Sequence, residues 1–474
     1  MKKKTKNKMM TIKNNDMKLL AKSFTAAILL MACTSCGIYN KYVSEAKIPA
    51  EAFGSSADMQ TAMSETSIAQ LSWREFFIDP LLQQLIDTAL VRNTDIRSAE
   101  IAVKQAQLAL TTARLAYLPT LTLAPTGSTS SFDKSAATRA YTLPLQVDWQ
   151  IDVFGSLTTQ KRKTEAIAEQ TLAQQDAVRA NIISCVAQQY NLLQVLDRQL
   201  DILLSTEKLW AASLETQKVL MENGKAYSTA VNQMEASYLN VKTQIVDTRL
   251  NIRNAENALC QLLAMTPQHI ERSTWDGHLT PQRLATGVPA EMLTQRADVR
   301  AAERAMAAAF YDTAAARAAF YPGITLSGLA GWTNNGAGIA DPGKLLLNAV
   351  ATLTQPIFAR GKLRADLKAS KLTEQDIANR YAQTVINAGN QVNNALAECL
   401  ASQEKDSFYK QQVEALRKAY DGTHELMNNG KANYLEVLTA QEAFLQAQLN
   451  EAQNLYDGTQ ASIALYIALG GATK

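Results

Sequence analysis

The chain has 474 residues, of which 47% are hydrophobic and 19% charged, and glycine and proline together contribute only 31. This composition excludes a collagen-like chain and disfavours a β protein with many tight turns, so long helices are expected. Eight lysines and one aspartate fall within the first 32 residues, which leaves the rest of the chain slightly acidic. Because phosphate binding needs a concentrated basic face, we expect no nucleic-acid partner.

Residues 1–32 have the pattern of a secretory signal peptide. Lys18 and Lys22 precede an apolar run over 24–32, which is shorter than the roughly 20 residues needed to span a bilayer as a helix. Translation from Met17 would give a signal peptide of ordinary length.

Two cysteines follow the apolar run in the sequence LMACTSCG at 30–37. The order leucine, any residue, small residue, cysteine is similar to the lipobox of bacterial lipoproteins, in which the cysteine is acylated and becomes the mature N-terminus. Cys33 fits this pattern best and Cys36 is the second candidate; a signal peptide cleaved without lipidation is the alternative. We therefore predict a lipidated N-terminal segment with a periplasmic part over 33–85.

An internal duplication organises the rest of the chain. Residues 95–123 align without gaps on 298–326, and twelve of the 29 positions are identical. Further along, the sequence MENGKA of the first half is matched by MNNGKA in the second. These matches predict two tandem copies of one unit, over 86–284 and 285–474.

Each copy predicts the same order of elements: a helix, two strands, a very long helix, a tight turn and another helix. No glycine or proline occurs over 156–223, which allows a helix of about 100 Å. Apolar residues in this stretch follow the spacing of a coiled coil. They are Ile182, Cys185, Leu192, Leu196, Leu203, Trp210 and Leu214. Gly224 and Gly430 are predicted to form the tips of two antiparallel helical hairpins, and Gly389 and Gly422 to interrupt the ascending helix of the second.

Between the helices the period of the pattern changes to two. Over 141–152, apolar and aromatic residues alternate with polar ones, and the second copy has a similar stretch. About ten such residues suffice for a tilted strand to cross a membrane, with its apolar side toward lipid and its polar side toward a wet lumen. We predict four strands per chain, in pairs within 117–154 and 322–358, connected by loops at 127–140 and 333–344.

Several residues have predicted roles at the ends of these strands. Pro119 and Pro322 are predicted to end the preceding helices and to turn the chain toward the membrane. Trp149 and Trp332 are predicted to lie at the depth of an aromatic girdle. Pro144 conflicts with the strand that contains it, because proline cannot donate to a ladder.

Four strands cannot close a barrel that is open inside, and unpaired strand edges cannot face lipid. The sequence therefore predicts oligomerisation, and three chains would supply twelve strands. The alternative fold is a soluble four-stranded sheet with helical hairpins.

The sequence predicts neither an enzyme nor a bound cofactor or metal. His269, His278 and His424 lack metal-ligand spacing, and no glycine-rich loop could hold phosphate. Three cysteines are interpreted as small buried helix residues, namely Cys185, Cys260 and Cys399. A lipid-anchored periplasmic coiled-coil scaffold is the alternative function.

Taken together, the lipobox, the duplication and two further motifs resemble a known family. The pattern Ala-x6-Ala-Arg-x4-Pro occurs at 106–119 and 309–322, and GKANYLEVLTAQ at 430–441 is similar to the family's tip motif. On these residues the chain resembles the TolC-like outer membrane factors, in their lipoprotein branch of the OprM and NodT type.

This resemblance implies a mainly α protein with membrane β strands. It implies a homotrimer with a twelve-stranded barrel in outer-membrane lipid, continued by a periplasmic α-helical barrel. Such proteins are exit ducts for efflux, connected through a periplasmic adaptor to an inner-membrane pump, here of RND type.

The resemblance also assigns roles to individual positions. Glu436 corresponds to an acidic residue that lines the closed entrance, and Thr439 to a second acidic position in some members. Ala230 and Ala432 replace the partners of a closing salt bridge, so that latch is not expected. The tip residues that would contact the adaptor are Asn223, Gly224, Lys225, Asn429, Gly430 and Lys431. The alternative for Glu436 is a solvated residue on a coiled-coil face.

Overall fold

The computed structural model of the chain describes residues 40–43, 71–131, 133, 136–274, 295–334 and 343–471. The predicted signal peptide, Met17, both candidate lipidation cysteines, most of the 33–85 segment and His278 lie outside the described residues. The chain forms two compact units, and each unit contains segments of both sequence copies. The first unit comprises 1–46, 104–170 and 302–381, and the second comprises 47–103, 171–301 and 382–474.

Eight helices and five strands make up the described chain. The helices are α1 Trp73–Phe76, α2 Pro80–Arg92, α3 Thr94–Leu115, α4 Ser156–Glu222, α5 Ser228–Leu262, α6 Ala297–Ala318, α7 Lys362–Asn428 and α8 Tyr434–Ala468. The strands are β1 Thr120–Leu123, β2 Thr126–Ser130, β3 Thr138–Ile151, β4 Gly323–Thr333 and β5 Lys344–Thr354.

The helices repeat in length as well as in order. The ascending helices α4 and α7 have 67 residues each, and the descending helices α5 and α8 have 35 each. Helix α7 continues through Gly389 and Gly422, so neither glycine ends it, and a kink at these positions stays a prediction. Each glycine costs only about 1 kcal/mol in a helix, which the many other residues of a long packed helix outweigh. Within the described ranges, no helix is both long and apolar enough to cross a bilayer.

The five strands of the first unit form one antiparallel sheet. Strand β3 pairs with β4 along ten residues, and β4 pairs with β5 along eleven. Strands β1 and β2 both pair with the other edge of β3, so the sheet has four rows, as predicted. The predicted loop at 127–140 is too long, because its threonine and serine residues form β2 and the start of β3.

Pro125, within the gap between β1 and β2, and Pro144, on the facing strand, explain why the two strands are separate. The pairing with β3 keeps one register across the gap, from Leu123 opposite Leu145 to Thr126 opposite Thr142. Pro144 lies opposite the gap, and its carbonyl accepts a hydrogen bond from the Ala124 amide at 3.3 Å. Because proline has no N–H, Pro144 cannot return a bond, and the ladder is broken locally without a slip in register.

The core of the second unit lies where both sequence copies meet α1 and α2. Tyr190 of α4 and Tyr466 of α8 are completely buried, and the ring of Phe76 stacks on Tyr466 with centroids 4.0 Å apart. A second cluster joins α4, α5 and α8 farther along, around Trp210, Ile245 and Leu445.

Most of the coiled-coil prediction for α4 is confirmed by burial. Five of its seven apolar residues are buried, whereas Leu192 and Cys185 are partly exposed. Cys260 and Cys399 are buried in helices, as predicted, but Cys185 is not fully buried.

Candidate functional site

One face of the sheet is apolar over β1, residues 141–151 of β3, β4 and β5, and Thr129 of β2 and Arg139 of β3 lie on the same side beyond this apolar band. Because residues directly opposite each other point to the same side, the registers define this face. It consists of Leu121, Leu123, Tyr141, Leu143, Leu145, Val147, Trp149, Ile151, Ile324, Leu326, Gly328, Ala330, Trp332, Leu345, Leu347, Ala349, Ala351 and Leu353. Many of the large side chains are open to solvent, including Leu121 at 67% and Leu347 at 69%. An apolar face of this extent in a soluble monomer would favour aggregation, so it requires an apolar environment.

The opposite face of the sheet is mostly polar. Threonine, serine, glutamine and asparagine side chains predominate, from Thr120 on β1 to Thr352 on β5. Asp148 of β3 lies among them, and it accepts hydrogen bonds from the Ser327 hydroxyl at 2.7 Å and from the Gln146 amide at 2.7 Å. The sheet therefore separates an apolar environment from an aqueous one.

Trp149 and Trp332 lie at opposite ends of the apolar face. Trp332 is opposite Leu143, six residues from Trp149 along β3, which corresponds to about 20 Å of strand. Both are exposed, and the Trp149 indole donates to the Tyr117 carbonyl at 2.9 Å next to the helix end of the strand. One tryptophan thus lies at each edge of the apolar band, and the indole of Trp149 has a polar partner there.

Pro119 and Pro322 lie between helix and strand in their own copies. Helix α3 ends at Leu115 and β1 begins at Thr120, while α6 ends at Ala318 and β4 begins at Gly323. Neither proline interrupts a ladder, because each precedes the first strand residue.

The hairpin tips have the same backbone geometry in both copies. Gly224 has φ +75° and Gly430 has φ +70°. The Gly224 amide donates to Met221 and the Lys225 amide to Leu220, the two hydrogen bonds of a Schellman motif. The corresponding bonds recur in the second copy, from Gly430 to Met427 and from Lys431 to Leu426. The polar tip residues of both copies are exposed, namely Asn223, Lys225, Asn429 and Lys431.

Glu436 lies in the first turn of α8, immediately after the second tip. Asn433 caps this helix: its side chain accepts from the Glu436 amide at 3.1 Å and donates to Glu436 Oε1 at 3.0 Å. Glu436 and Thr439 are both exposed, and the Thr439 hydroxyl donates back to the Leu435 carbonyl at 2.8 Å. The pattern Asn-x-x-Glu at 433–436 is a capping signature that could have predicted this arrangement.

The first copy lacks that cap. Tyr227 precedes α5 at the equivalent position, makes no side-chain capping bond and is 83% exposed. Ala230 takes the place of Glu436 and is buried, so only the second tip carries a carboxylate in this turn. The two tips are therefore alike in backbone but differ in the position of their carboxylate: Glu222 precedes the first tip, whereas Glu436 follows the second.

The perturbed titratable groups of the second unit are structural. Burial raises the pKa of Tyr190 to about 12; hydrogen bonds from Ser273 oppose this rise, and Asp79 adds to it. Its hydroxyl donates to Asp79 at 2.7 Å and accepts from the Ser273 amide at 3.0 Å, which ties the segment after α5 to α4. In the part of the chain that the structure describes, no group of three His, Cys, Asp or Glu residues is arranged to hold a metal.

Comparison with known proteins agrees with this arrangement. The sequence profile of the family described as outer membrane efflux protein matches residues 85–265 and 288–471. The chain is 28% identical over 448 residues to the cation efflux system protein CusC of Escherichia coli O6:H1, covering 93% of this chain and 96% of that protein. It is 30% identical over 477 residues to the outer membrane protein OprJ of Pseudomonas aeruginosa, covering 95% and 96%. The open state of the Neisseria gonorrhoeae MtrE outer membrane channel superposes with a TM-score of 0.81, at 25% identity and with coverage of 92% and 98%.

Proposed function

The chain belongs to the outer membrane efflux protein family, and we propose that three copies of it form the exit duct of a tripartite efflux system. It is an outer-membrane protein that carries substrates outward and extends into the periplasm. The single observation that supports this trimeric assembly most strongly is the sheet, which has one apolar face and one mostly polar face. The function assigned is transport and not catalysis.

The edges of the sheet support assembly from several chains. No described strand pairs with the outer edge of β5 or with the outer edge of β1 and β2. In lipid each unpaired backbone group would cost several kcal/mol, so these edges must pair with another copy. Three copies of four rows give a closed sheet of twelve strands, whose polar faces surround a lumen.

A charge on the apolar face tests the membrane assignment. Leu347 is 69% exposed on the apolar face, and Asn348, the next residue, is on the polar face. We expect Leu347→Arg to cost about 2–4 kcal/mol in the bilayer and to abolish heat-modifiable trimers in outer membranes. Asn348→Arg, which adds the same charge toward the lumen, is the matched control and should assemble.

This pair of variants also separates the duct from the alternative of a lipid-anchored periplasmic coiled-coil scaffold. In a scaffold Leu347 would face water, and an arginine there would be neutral or would improve solubility. Normal assembly of Leu347→Arg would therefore contradict the duct.

We assign adaptor contact to the tip residues of both hairpins, Asn223 to Lys225 and Asn429 to Lys431. Their exposure and their rigid Schellman backbones support this assignment, because such turns present fixed polar groups to a partner. An RND pump is the proposed inner-membrane partner. Charge reversal at Lys225 and Lys431 together should reduce co-purification of the cognate adaptor and leave trimers intact; unchanged co-purification would contradict the assignment.

Glu436 is the proposed acidic constriction, with Thr439 one turn farther along α8. Three copies of one exposed carboxylate around an axis would repel each other and favour cations. Glu436→Gln removes the charge and retains the cap, since glutamine also suits this position of a capping box. Single-channel recordings in planar bilayers should show a weaker preference for K⁺ over Cl⁻, whereas Glu414→Gln on α7, within local ion pairs, should not change it.

Cys33 is the proposed site of acylation, with Cys36 as the alternative. Mass spectrometry of the mature N-terminal peptide would identify the modified cysteine directly. Loss of the lipid in Cys33→Ser and its retention in Cys36→Ser would support the assignment, and the reverse result would transfer it to Cys36.

A further inference from the structure

The polar face of the sheet carries very little charge. Among the described strand residues, only Asp148 of β3 and Lys344 of β5 are ionisable on this face. Arg139 is the other charged residue of the described strands. It lies an odd number of positions from Asp148 along β3, so it is on the opposite face of the sheet, beyond the apolar band. A carboxylate whose one charged neighbour on these strands lies about 20 Å away has a large effect on the local potential, because no charge on the strands lies close enough to cancel it.

The carboxylate of Asp148 is held in place by neutral donors. Ser327 and Gln146 donate to its two oxygens, each at 2.7 Å, and no described lysine or arginine forms an ion pair with it. These bonds fix the position of the negative charge and do not cancel it. The carboxylate of Asp148 is therefore a charge held in a fixed position on the polar face of the sheet.

The register places the two charges at different depths. Asp148 pairs with Ser327 and is adjacent to Trp149, so it lies level with the tryptophan at the helix end of the apolar band. Lys344 pairs with Thr333 at the loop end, six residues away along the ladder, or about 20 Å. A substance that leaves through the lumen passes the carboxylate level first and the lysine level afterwards.

We propose that Asp148 is an ion-selectivity residue of the membrane-embedded part of the duct, where three copies form a ring of carboxylates that favours small cations. This inference rests on the proposed function, because one chain alone encloses no lumen. The ring is distinct from the proposed constriction at Glu436, which lies in the second unit on α8. At 0.1 M salt the Debye length is about 10 Å, so wall charges act on ions that pass within that distance, whereas at 1 M they are screened within about 3 Å.

The test is the reversal potential of single channels of the purified full-length protein under a KCl gradient. Asp148→Asn should lower the K⁺ to Cl⁻ permeability ratio by about twofold at 0.1 M and leave it unchanged at 1 M. Lys344→Gln, the control of opposite sign, should raise the ratio at 0.1 M. Trimer formation of each variant is checked on gels.

A relocated charge separates selectivity from a structural role. Gln150 is the next residue on the same face and is exposed, so Asp148→Asn combined with Gln150→Asp keeps the net charge and moves it off the side chain that Ser327 and Gln146 hold in place. The double variant should recover the wild-type permeability ratio. If only the hydrogen bonds mattered, it would behave like Asp148→Asn.

The outcomes distinguish this inference from the function on which it rests. If the wild-type trimer conducts and Asp148→Asn has the same permeability ratio, the selectivity role is wrong and the duct stands. If the double variant does not recover the ratio, the role is also wrong. If no trimer and no conductance are found for the wild type, the proposed duct fails, and this inference fails with it.

Discussion

Asn93 and Arg296 occupy equivalent positions in the two sequence copies, and each donates a side-chain hydrogen bond to the end of the descending helix in its own copy. The Asn93 amide donates to the Leu262 carbonyl at 2.9 Å, and the Arg296 guanidinium donates to the Ala468 carbonyl at 2.8 Å. Leu262 and Ala468 are the last residues of α5 and α8. Different side chains thus satisfy the same unpaired helix carbonyl and join the start of each copy to its end.

Removal of Arg296 should destabilise the second unit more than removal of Asn93. Arg296 is almost completely buried and also bonds Asp298 and Gln391, so Arg296→Ala leaves several polar groups without partners. We expect a loss of about 2–4 kcal/mol for Arg296→Ala and about 1–2 kcal/mol for Asn93→Ala, measured by urea unfolding in detergent.

The matched control for Arg296 is Arg417→Ala, in the same unit. Arg417 forms an ion pair with Glu414 in which both side chains are more than 40% exposed, a type of pair that contributes less than about 1 kcal/mol. A larger loss for Arg417→Ala than for Arg296→Ala would contradict the role of the buried helix cap.

Acid should weaken the second unit through two carboxylates. Burial alone would raise the pKa of Asp298 and of Glu256, but hydrogen bonds and charge from Arg296 and Arg272 outweigh burial and hold both pKa values below the ordinary range. A pKa lowered by folding contributes stability above the unfolded value, about 4, and this contribution disappears as the pH falls through the folded value. The melting temperature should therefore decrease below about pH 4.

Asp298→Asn should lower the melting temperature at pH 7 and flatten its decrease between pH 5 and 3. Asp95 is the equivalent residue of the first copy, is exposed and forms no ion pair with a described residue. Asp95→Asn is therefore the control and should keep the wild-type acid profile. The same acid profile in both variants would contradict the assignment to Asp298.

Two glycines in the second hairpin should respond to alanine in opposite directions. Gly430 has φ +70°, a conformation in which an alanine side chain is strained by about 1 kcal/mol, although nothing lies within 4 Å of the added Cβ. Gly422 lies inside α7, also with open space around it, so alanine there should stabilise by up to about 1 kcal/mol. Thermal unfolding of the two variants measures the difference, and equal shifts of the same sign would contradict it.

Gly331 should be intolerant of any side chain. An added Cβ would lie 2.2 Å from the Leu143 carbonyl oxygen and 2.7 Å from the Cα of Pro144, both of which are backbone atoms that cannot move independently. Gly331→Ala should therefore disrupt the pairing of β3 with β4 and reduce trimers in outer membranes. Gly328→Ala is the control in the same strand, because its Cβ would meet only Val147 at 3.9 Å, an ordinary contact.

Structural features that follow from short-period patterns in the sequence could be predicted. The absence of glycine and proline over 156–223 predicts α4 almost to the residue, and the alternation around Leu145 and Trp149 predicts a half-exposed strand. Gly224 and Gly430 predict the two tips, because only a positive φ continues the chain from a Schellman turn. Whether Gly389 and Gly422 end α7 could not be predicted in this way, because the packing of a long helix outweighs the low helix propensity of two glycines.

By itself, the sequence determined the two copies, the long helices, the strands with one apolar and one polar side, and the family. Each of these follows from patterns among neighbouring residues or from the direct repetition of a segment. Tertiary structure decided which strand of the first copy meets which strand of the second: the register of β3 on β4 places Trp149 and Trp332 at opposite edges of one apolar band and Asp148 beside Ser327. It also decided that Asn93 and Arg296 reach helix ends about 170 residues away. Such relationships follow from the free energy of the whole arrangement, because residues far apart in sequence interact only once the chain has folded.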